Sequence, residues 1–234
     1  MSRQQPTDDP LYLRRLLVGA MQNYVYLVGS KATRECFVVD PAWEVDRILR
    51  EAEQDGMTVV GALATHYHQD HVGGDLFGHD IEGLARLLER RNVPIHVNQH
   101  EKQGVAQVTG LSERDLVAHS GGDEIEVGDV KLKLLHTPGH TPGSQCFLAH
   151  GHLISGDTLF IRGCGRTDLP GGDPEQMWKS LNVVLKRLPP ETVLHPGHQY
   201  GPIDASTIGE EARENPYLNV PKLQDWLSMM GRGY

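Results

Sequence analysis

Short apolar runs that stop at a histidine or an aspartate recur along this chain. Val59-Val60-Gly61-Ala62-Leu63-Ala64 reads as a buried strand, and it stops at Thr65-His66-Tyr67-His68-Gln69-Asp70-His71. Leu132-Lys133-Leu134-Leu135-His136 alternates like a strand and runs into Thr137-Pro138-Gly139-His140, where proline and glycine mark a rigid turn. Residues 153–160 form another apolar run that carries Asp157, and Thr192-Val193-Leu194 leads to His195-Pro196-Gly197-His198.

The other elements are ordinary. Residues 21–28 alternate polar and apolar, turn at Gly29-Ser30 and return through Cys36-Phe37-Val38-Val39 as a hairpin. Val45, Ile48, Leu49 and Ala52 have helical spacing. Ile81, Leu84, Ala85, Leu87 and Leu88 predict a second helix, with Arg86, Glu89, Arg90 and Arg91 on its solvent face. Pro94-Ile95-His96-Val97 reads as a short strand, after which Asn98 caps a helix through Gly104, with Glu101 three residues beyond the cap. Pro174 begins a helix that buries Met177, Trp178, Leu181, Val184, Leu185 and Leu188. No repeat, low-complexity tract or long linker interrupts the pattern, and one α/β domain over residues 1–234 accommodates it.

The array after the first strand carries chemistry. His66 and His68 are two apart and point the same way in an extended segment, whereas the adjacent Asp70 and His71 diverge, which suits a second metal beside the first. Imidazole and carboxylate suit zinc, iron or manganese. A solvated histidine-rich loop is the plainer alternative, and His140, Asp157 and His198 taken singly read as loop and turn residues. Four strand-end sites of this kind in one chain argue for a common centre. His79, His96 and His100 complete no such spacing and receive no metal role.

This order of motifs resembles the metallo-β-lactamase superfamily, from about residue 23 to 218. The resemblance implies a four-layer αββα sandwich with the four strand ends at one edge. It also implies a first metal site of His66, His68 and His140, a second of Asp70, His71 and His198, and a bridging Asp157. Asp40, in Val38-Val39-Asp40-Pro41, matches the family's strand-end aspartate that supports the ligand loop; a turn cap before Pro41 is the alternative.

Composition narrows the chemistry. A net charge of −9 argues against a surface that tracks phosphates, so nucleic acid is not the expected partner, and an exposed helix face accounts for Arg86, Arg90 and Arg91. Cys36, Cys146 and Cys164 have neither C-x-x-C spacing nor an even framework, which implies a reduced, cytoplasmic setting. Cys36 and Cys146 fall in core strands, while Cys164 lies in a glycine loop and is the one to test for reactivity. Met1 to Pro10 is polar and Leu11 to Ala20 is interrupted by Arg14 and Arg15, so neither a secretion signal nor a membrane span is expected. Self-association into a homo-oligomer is left open.

Within the superfamily, Gly156-Asp157-Thr158-Leu159-Phe160 and Gly163-Cys164-Gly165-Arg166-Thr167-Asp168 resemble the glyoxalase II group, hydrolases of acylglutathione thioesters. That implies two divalent ions, zinc first with iron or manganese as alternatives, and attack by metal-bound hydroxide held in line by Asp70. A thiol, with a pKa of about 8.5, leaves without an acid, which favours a small-molecule acyl thioester over an amide. The short stretch after His198 has no room for the helical domain with which long glyoxalase II enzymes hold glutathione. The same segment also resembles persulfide dioxygenases of the superfamily, which bind one iron through the equivalents of His66, His140 and Asp157. Arg166 reads either as a bidentate partner for a substrate carboxylate or as an ion pair to Asp168 or Asp173. Tyr200 either lines the site or packs in its loop.

Overall fold

The computed structural model describes residues 9–231. The polar stretch expected to carry no signal thus lies, for residues 1–8, outside the described residues. The chain begins with β1 (Leu11–Val18), β2 (Asn23–Ser30), β3 (Glu35–Val39), α1 (Val45–Gln54) and β4 (Thr58–Leu63). A one-turn α2 (Gln69–Val72) follows, then the hairpin β5 (Gly74–Leu76) and β6 (His79–Ile81), α3 (Leu84–Arg90), β7 (Ile95–Asn98), α4 (Lys102–Thr109) and β8 (Leu116–His119). The second half contains β9 (Glu124–Val127), β10 (Val130–His136), β11 (Gln145–Ala149), β12 (His152–Gly156), β13 (Leu159–Phe160), β14 (Gly163–Cys164) and α5 (Pro174–Lys179). It closes with β15 (Val193–Pro196), β16 (Ser206–Thr207), α6 (Ile208–Glu214) and α7 (Leu223–Met230).

Two six-stranded sheets result, in the orders β1-β2-β3-β4-β7-β8 and β16-β15-β12-β11-β10-β9. In the first, β3, β4, β7 and β8 are parallel neighbours joined through α1, α3 and α4. Successive crossovers step the same way along the sheet, so their common handedness puts all three helices on one face. Alternation then divides the side chains. Val25, Leu27, Cys36 and Val38 pack toward α1, α3 and α4. Tyr24, Tyr26, Phe37 and Val39 meet Leu132, Leu134 and Phe147 of the second sheet. Cys146, Leu153 and Leu194 face Met177, Leu181, Ile208 and Trp226 on the far side. Three cores separate four layers, the αββα order.

The edge carrying the ligand candidates follows from strand direction. β12 and β15 are parallel, and β10 shares their direction because β11 runs against both β10 and β12. His140, Asp157 and His198 therefore all follow C-terminal strand ends on one edge.

Several expectations need correction. Leu11–Val18, which the hydrophobic pattern leaves unassigned, forms a strand whose Tyr12, Leu16 and Val18 pack toward α1, while Arg14 on the same face pairs with Glu51 of that helix and with Asp55 at its C-terminal cap. Ile81 belongs to the β5–β6 hairpin and not to the helix, which starts at Leu84. Asn98 ends β7, its side chain accepting from the His100 amide (3.0 Å), and α4 starts only at Lys102. The 153–160 run breaks after Gly156, which turns the chain at φ +49°. The helix from Pro174 loosens into a π turn over Ser180–Val184 and a 3-10 turn over Leu185–Arg187.

Candidate active site

The imidazoles at this edge are oriented from behind. His140 Nδ1 donates to the Arg166 carbonyl (2.8 Å), His198 Nδ1 to the Met21 carbonyl (3.0 Å), and His71 Nδ1 to Asp40 Oδ2 (3.0 Å). His66 Nδ1 meets the Thr65 hydroxyl (3.0 Å), which itself donates to Asp40 Oδ2 (2.6 Å). Each bond fixes a tautomer and leaves Nε2 bare and turned inward, the arrangement that prepares a metal ligand. His68 differs and presents Nδ1, 3.0 Å from His140 Nε2.

The inward atoms fall into groups that could hold cations. Ligand atoms of His66, His68 and His140 lie within 4.8 Å of one another, as do those of Asp70, His71 and His198. Asp157 sits between the groups, with Oδ2 3.3 Å from His198 Nε2 and 3.7 Å from His140 Nε2, and Oδ1 3.4 Å from His71 Nε2. His66 Nε2 and Asp157 Oδ1 are buried without a hydrogen-bond partner. His71 Nε2 and His198 Nε2 face each other at 3.1 Å. Bare nitrogens this close repel unless a cation or a proton lies between them, so this donor set fits divalent metals.

Charge differs between the groups. Burial opposes ionisation throughout, yet Asp157 and Asp70 push His198 up to about 9, and Asp70 and Asp157 raise His71 as well. The two imidazoles in turn hold both carboxylates well below their usual range against the pull of burial. Burial dominates for His66 and His68 and pushes both down, His68 to about 4. His66 and His68 therefore offer neutral nitrogens, whereas the second group includes the carboxylate of Asp70.

Three supporting residues lie outside the sequence motif. Asn23 donates to Asp70 Oδ2 (2.9 Å) and accepts from Trp43 Nε1 (3.0 Å), and Trp43 also reaches the Asp70 carbonyl (3.1 Å). Trp43 holds φ +70°, a conformation costly for a bulky aromatic. Glu101, wholly buried, accepts from the Tyr67 amide, the Thr141 hydroxyl and the Gly143 amide. Asn23 opens the stretch where the family resemblance begins, with no role read for its side chain, and no local pattern marks Trp43; for Glu101 the only sign was its place after Asn98. Asp40 has the supporting role, accepting also from the Thr65 amide (2.7 Å).

A cavity of about 600 Å³ opens over His68, Asp70, His140, Asp157 and His198. Its walls are largely apolar, with Met21, Phe160, Ile161, Leu169, Ile203 and Tyr217, and Cys164 is among them. Tyr200 lines it and stacks on the His198 ring at 4.7 Å. Arg166 also lines it, with its guanidinium paired bidentately to Asp168 (2.9 and 2.8 Å), while Asp173 instead caps α5. Arg162 is held by Glu211 and Glu214. Away from the site, Arg86 and Arg90 pair with Asp46, and Arg91 with Glu53, on the outer helical layer. Cys36 and Cys146 are buried in the cores, and burial pushes their thiols up, to about 12 and about 11. Among the described residues no helix is long and apolar enough to cross a membrane.

A family model described as the metallo-beta-lactamase superfamily matches residues 18–198. The human mitochondrial persulfide dioxygenase ETHE1 is 30% identical over 234 residues, covering 99% of this chain and 85% of its own. A probable hydroxyacylglutathione hydrolase of Schizosaccharomyces pombe is 31% identical, covering 91% of this chain and 89% of its own. The crystal structure of ETHE1 from Myxococcus xanthus superposes with a TM-score of 0.81 at 31% identity, covering 94% of this chain and 90% of that one.

Proposed function

This chain belongs to the metallo-β-lactamase superfamily of metal-dependent enzymes, and within it we propose a hydrolase of small acyl thioesters, acylglutathione-like in chemistry. What supports hydrolysis is a second group, Asp70, His71 and His198, that is complete and preorganised, with ligand atoms within 4.8 Å and Asn23 and Asp40 anchoring two of its members. Persulfide dioxygenases of the superfamily keep such residues without using them, so metal content and turnover decide between the two readings. In this reading one domain spans the chain and works in the cytoplasm. His66, His68 and His140 would hold one ion and Asp70, His71 and His198 a second, with Asp157 placed to serve both groups.

When bound, two divalent ions, zinc by preference, would supply Lewis acidity: an acidified water with a pKa of about 7 and polarisation of the carbonyl. The protein's own groups do the rest. Asp70, clamped by Asn23 and facing the cavity, orients the attacking water. Asp157 offsets the charge between the two groups. The apolar wall takes the acyl or thiol substituent and excludes bulk water. Tyr200, stacked on His198, flanks the substrate, and Arg166 borders the mouth where a substrate carboxylate can compete with Asp168. Among the described residues the wall has no carboxyl group apart from Asp70 and Asp157, which suits a thiolate that departs without a proton better than an amine.

The likeness to persulfide dioxygenases favours a second reading, in which His66, His140 and Asp157 would hold one iron and the chemistry would be oxidation of a persulfide by oxygen. Metal content of protein purified without added metal separates the two. About two zinc ions per chain support the hydrolase; one iron per chain supports the dioxygenase.

A further inference from the structure

Three hydrogen bonds converge on a carboxylate that belongs to neither ligand group. Glu101 lies in the turn between β7 and α4, and none of its surface is exposed. Its Oε2 accepts from the Tyr67 amide at 2.8 Å, and Tyr67 sits between His66 and His68. Its Oε1 accepts from the Thr141 hydroxyl at 2.8 Å and the Gly143 amide at 2.5 Å, and Thr141 follows His140 directly. One oxygen thus serves each of the two loops that present the imidazoles of the first group.

The surrounding sequence is fitted to this contact. A Cβ on Gly143 would stand 2.6 Å from Glu101 Cγ and 2.7 Å from its amide nitrogen. A Cβ on Gly104, in the first turn of α4, would stand 2.8 Å from the Tyr67 ring. Both glycines let the start of α4 approach the loops closely. The two amides can only donate and the Thr141 hydroxyl donates here, so both oxygens accept; burial pushes the carboxyl up to about 7, and these three bonds oppose that rise. A carboxamide of the same shape would turn an N–H toward at least one donor. Aspartate, one methylene shorter, would not span both loops.

We propose that Glu101 is a positioning residue for the first metal group, its carboxylate setting the spacing between the His66–His68 loop and His140. The proposal rests on the assignment of His66, His68 and His140 as ligands. Loss of such a supporting partner costs roughly 10–100-fold in metal affinity.

The test is cobalt(II) binding by the full chain carrying His198→Ala, which weakens the second group, with and without Glu101→Gln. Affinity and the visible cobalt spectrum are both read, and folding is checked by circular dichroism and thermal melting. Glu101→Gln should weaken cobalt binding by roughly 10–100-fold and shift its visible bands. Thr141→Val, which removes one donor and leaves the carboxylate in place, should shift the bands in the same direction by less, and it decides the matter if Glu101→Gln does not fold. Unchanged affinity and bands in a folded variant, even one with a lowered melting temperature, would mean that Glu101 merely packs, and would overturn the proposal. Failure of the His198→Ala parent itself to bind cobalt would overturn the ligand assignment and the proposal with it.

Discussion

Asp40 and His71 are joined by a 3.0 Å hydrogen bond, Nδ1–H to Oδ2, in which the aspartate is itself held at φ +53° at the end of β3. The same carboxylate takes the Thr65 amide and hydroxyl, so one side chain aims His71 and pins the strand end from which His66 follows. Asp40→Ala leaves three buried donors without an acceptor. At about 1–3 kcal/mol for each unsatisfied group, it should lower stability by about 3 kcal/mol or more in denaturant titration. Asp40→Asn, which keeps an acceptor oxygen, should lose less. Equal losses would mean that one retained acceptor oxygen counts for nothing and that both carboxylate oxygens are required.

Asp157 tests the sharing between groups. Its two oxygens approach His71, His198 and His140, so Asp157→Ala should empty both groups of metal and abolish turnover. His198→Ala should lose one metal and keep the other. Inductively coupled plasma mass spectrometry after dialysis reads both, and two ions retained by Asp157→Ala would remove the basis for the bridge.

Away from the site, the paired strands β12 and β15 bring His152 Nδ1 to 2.9 Å from His195 Nε2. Burial pushes His195 from 6.5 down to about 3 and lowers His152 as well. A histidine whose pKa falls on folding binds its proton more readily in the unfolded chain. Its contribution is therefore intact above about pH 6.5 and is lost as pH falls from there toward 3. At pH 4.5 the cost from His195 is about 2–3 kcal/mol. Urea titrations at pH 7 and pH 4.5 should show a smaller acid-induced loss in His195→Leu than in the parent chain. The same loss in both would rule out this pair as a source of acid sensitivity.

Arg166 is more exposed. Its pairing with Asp168 joins side chains that are 56% and 53% accessible, so solvent screens it. Arg166→Ala should leave the melting temperature nearly unchanged and raise KM for a carboxylate-bearing thioester, with little effect on an uncharged one. An equal change for both substrates would remove the substrate role.

Much of this was legible in the sequence because it is written locally. The period-two runs of β2, β3 and β10 give the faces of the sheets, and the spacing of His66, His68, Asp70 and His71 gives the array. What was missed depends on partners far along the chain. β1 was obscured by Arg14, whose charge is tolerated in the strand because Glu51 of α1 and Asp55 at its C-terminal cap lie above it. The cap assigned to Asn98 failed because Glu101, three residues on, is drawn to the Tyr67 and Gly143 amides instead of back to its own helix start. Asn23 and Trp43 meet Asp70 only once β2, β3 and β4 have paired in the first sheet.

The central claim is hydrolysis by a two-metal centre, and anaerobic cleavage of a small acyl thioester tests it most directly. Free thiol is read with a chromogenic disulfide reagent, before and after chelation and after zinc or manganese is restored. Thiol release without oxygen, lost on chelation, recovered with metal and mostly absent in His198→Ala, is the predicted result. Oxygen consumption that requires iron and a glutathione-type persulfide and survives the loss of His198, with no thioester cleavage, would contradict it.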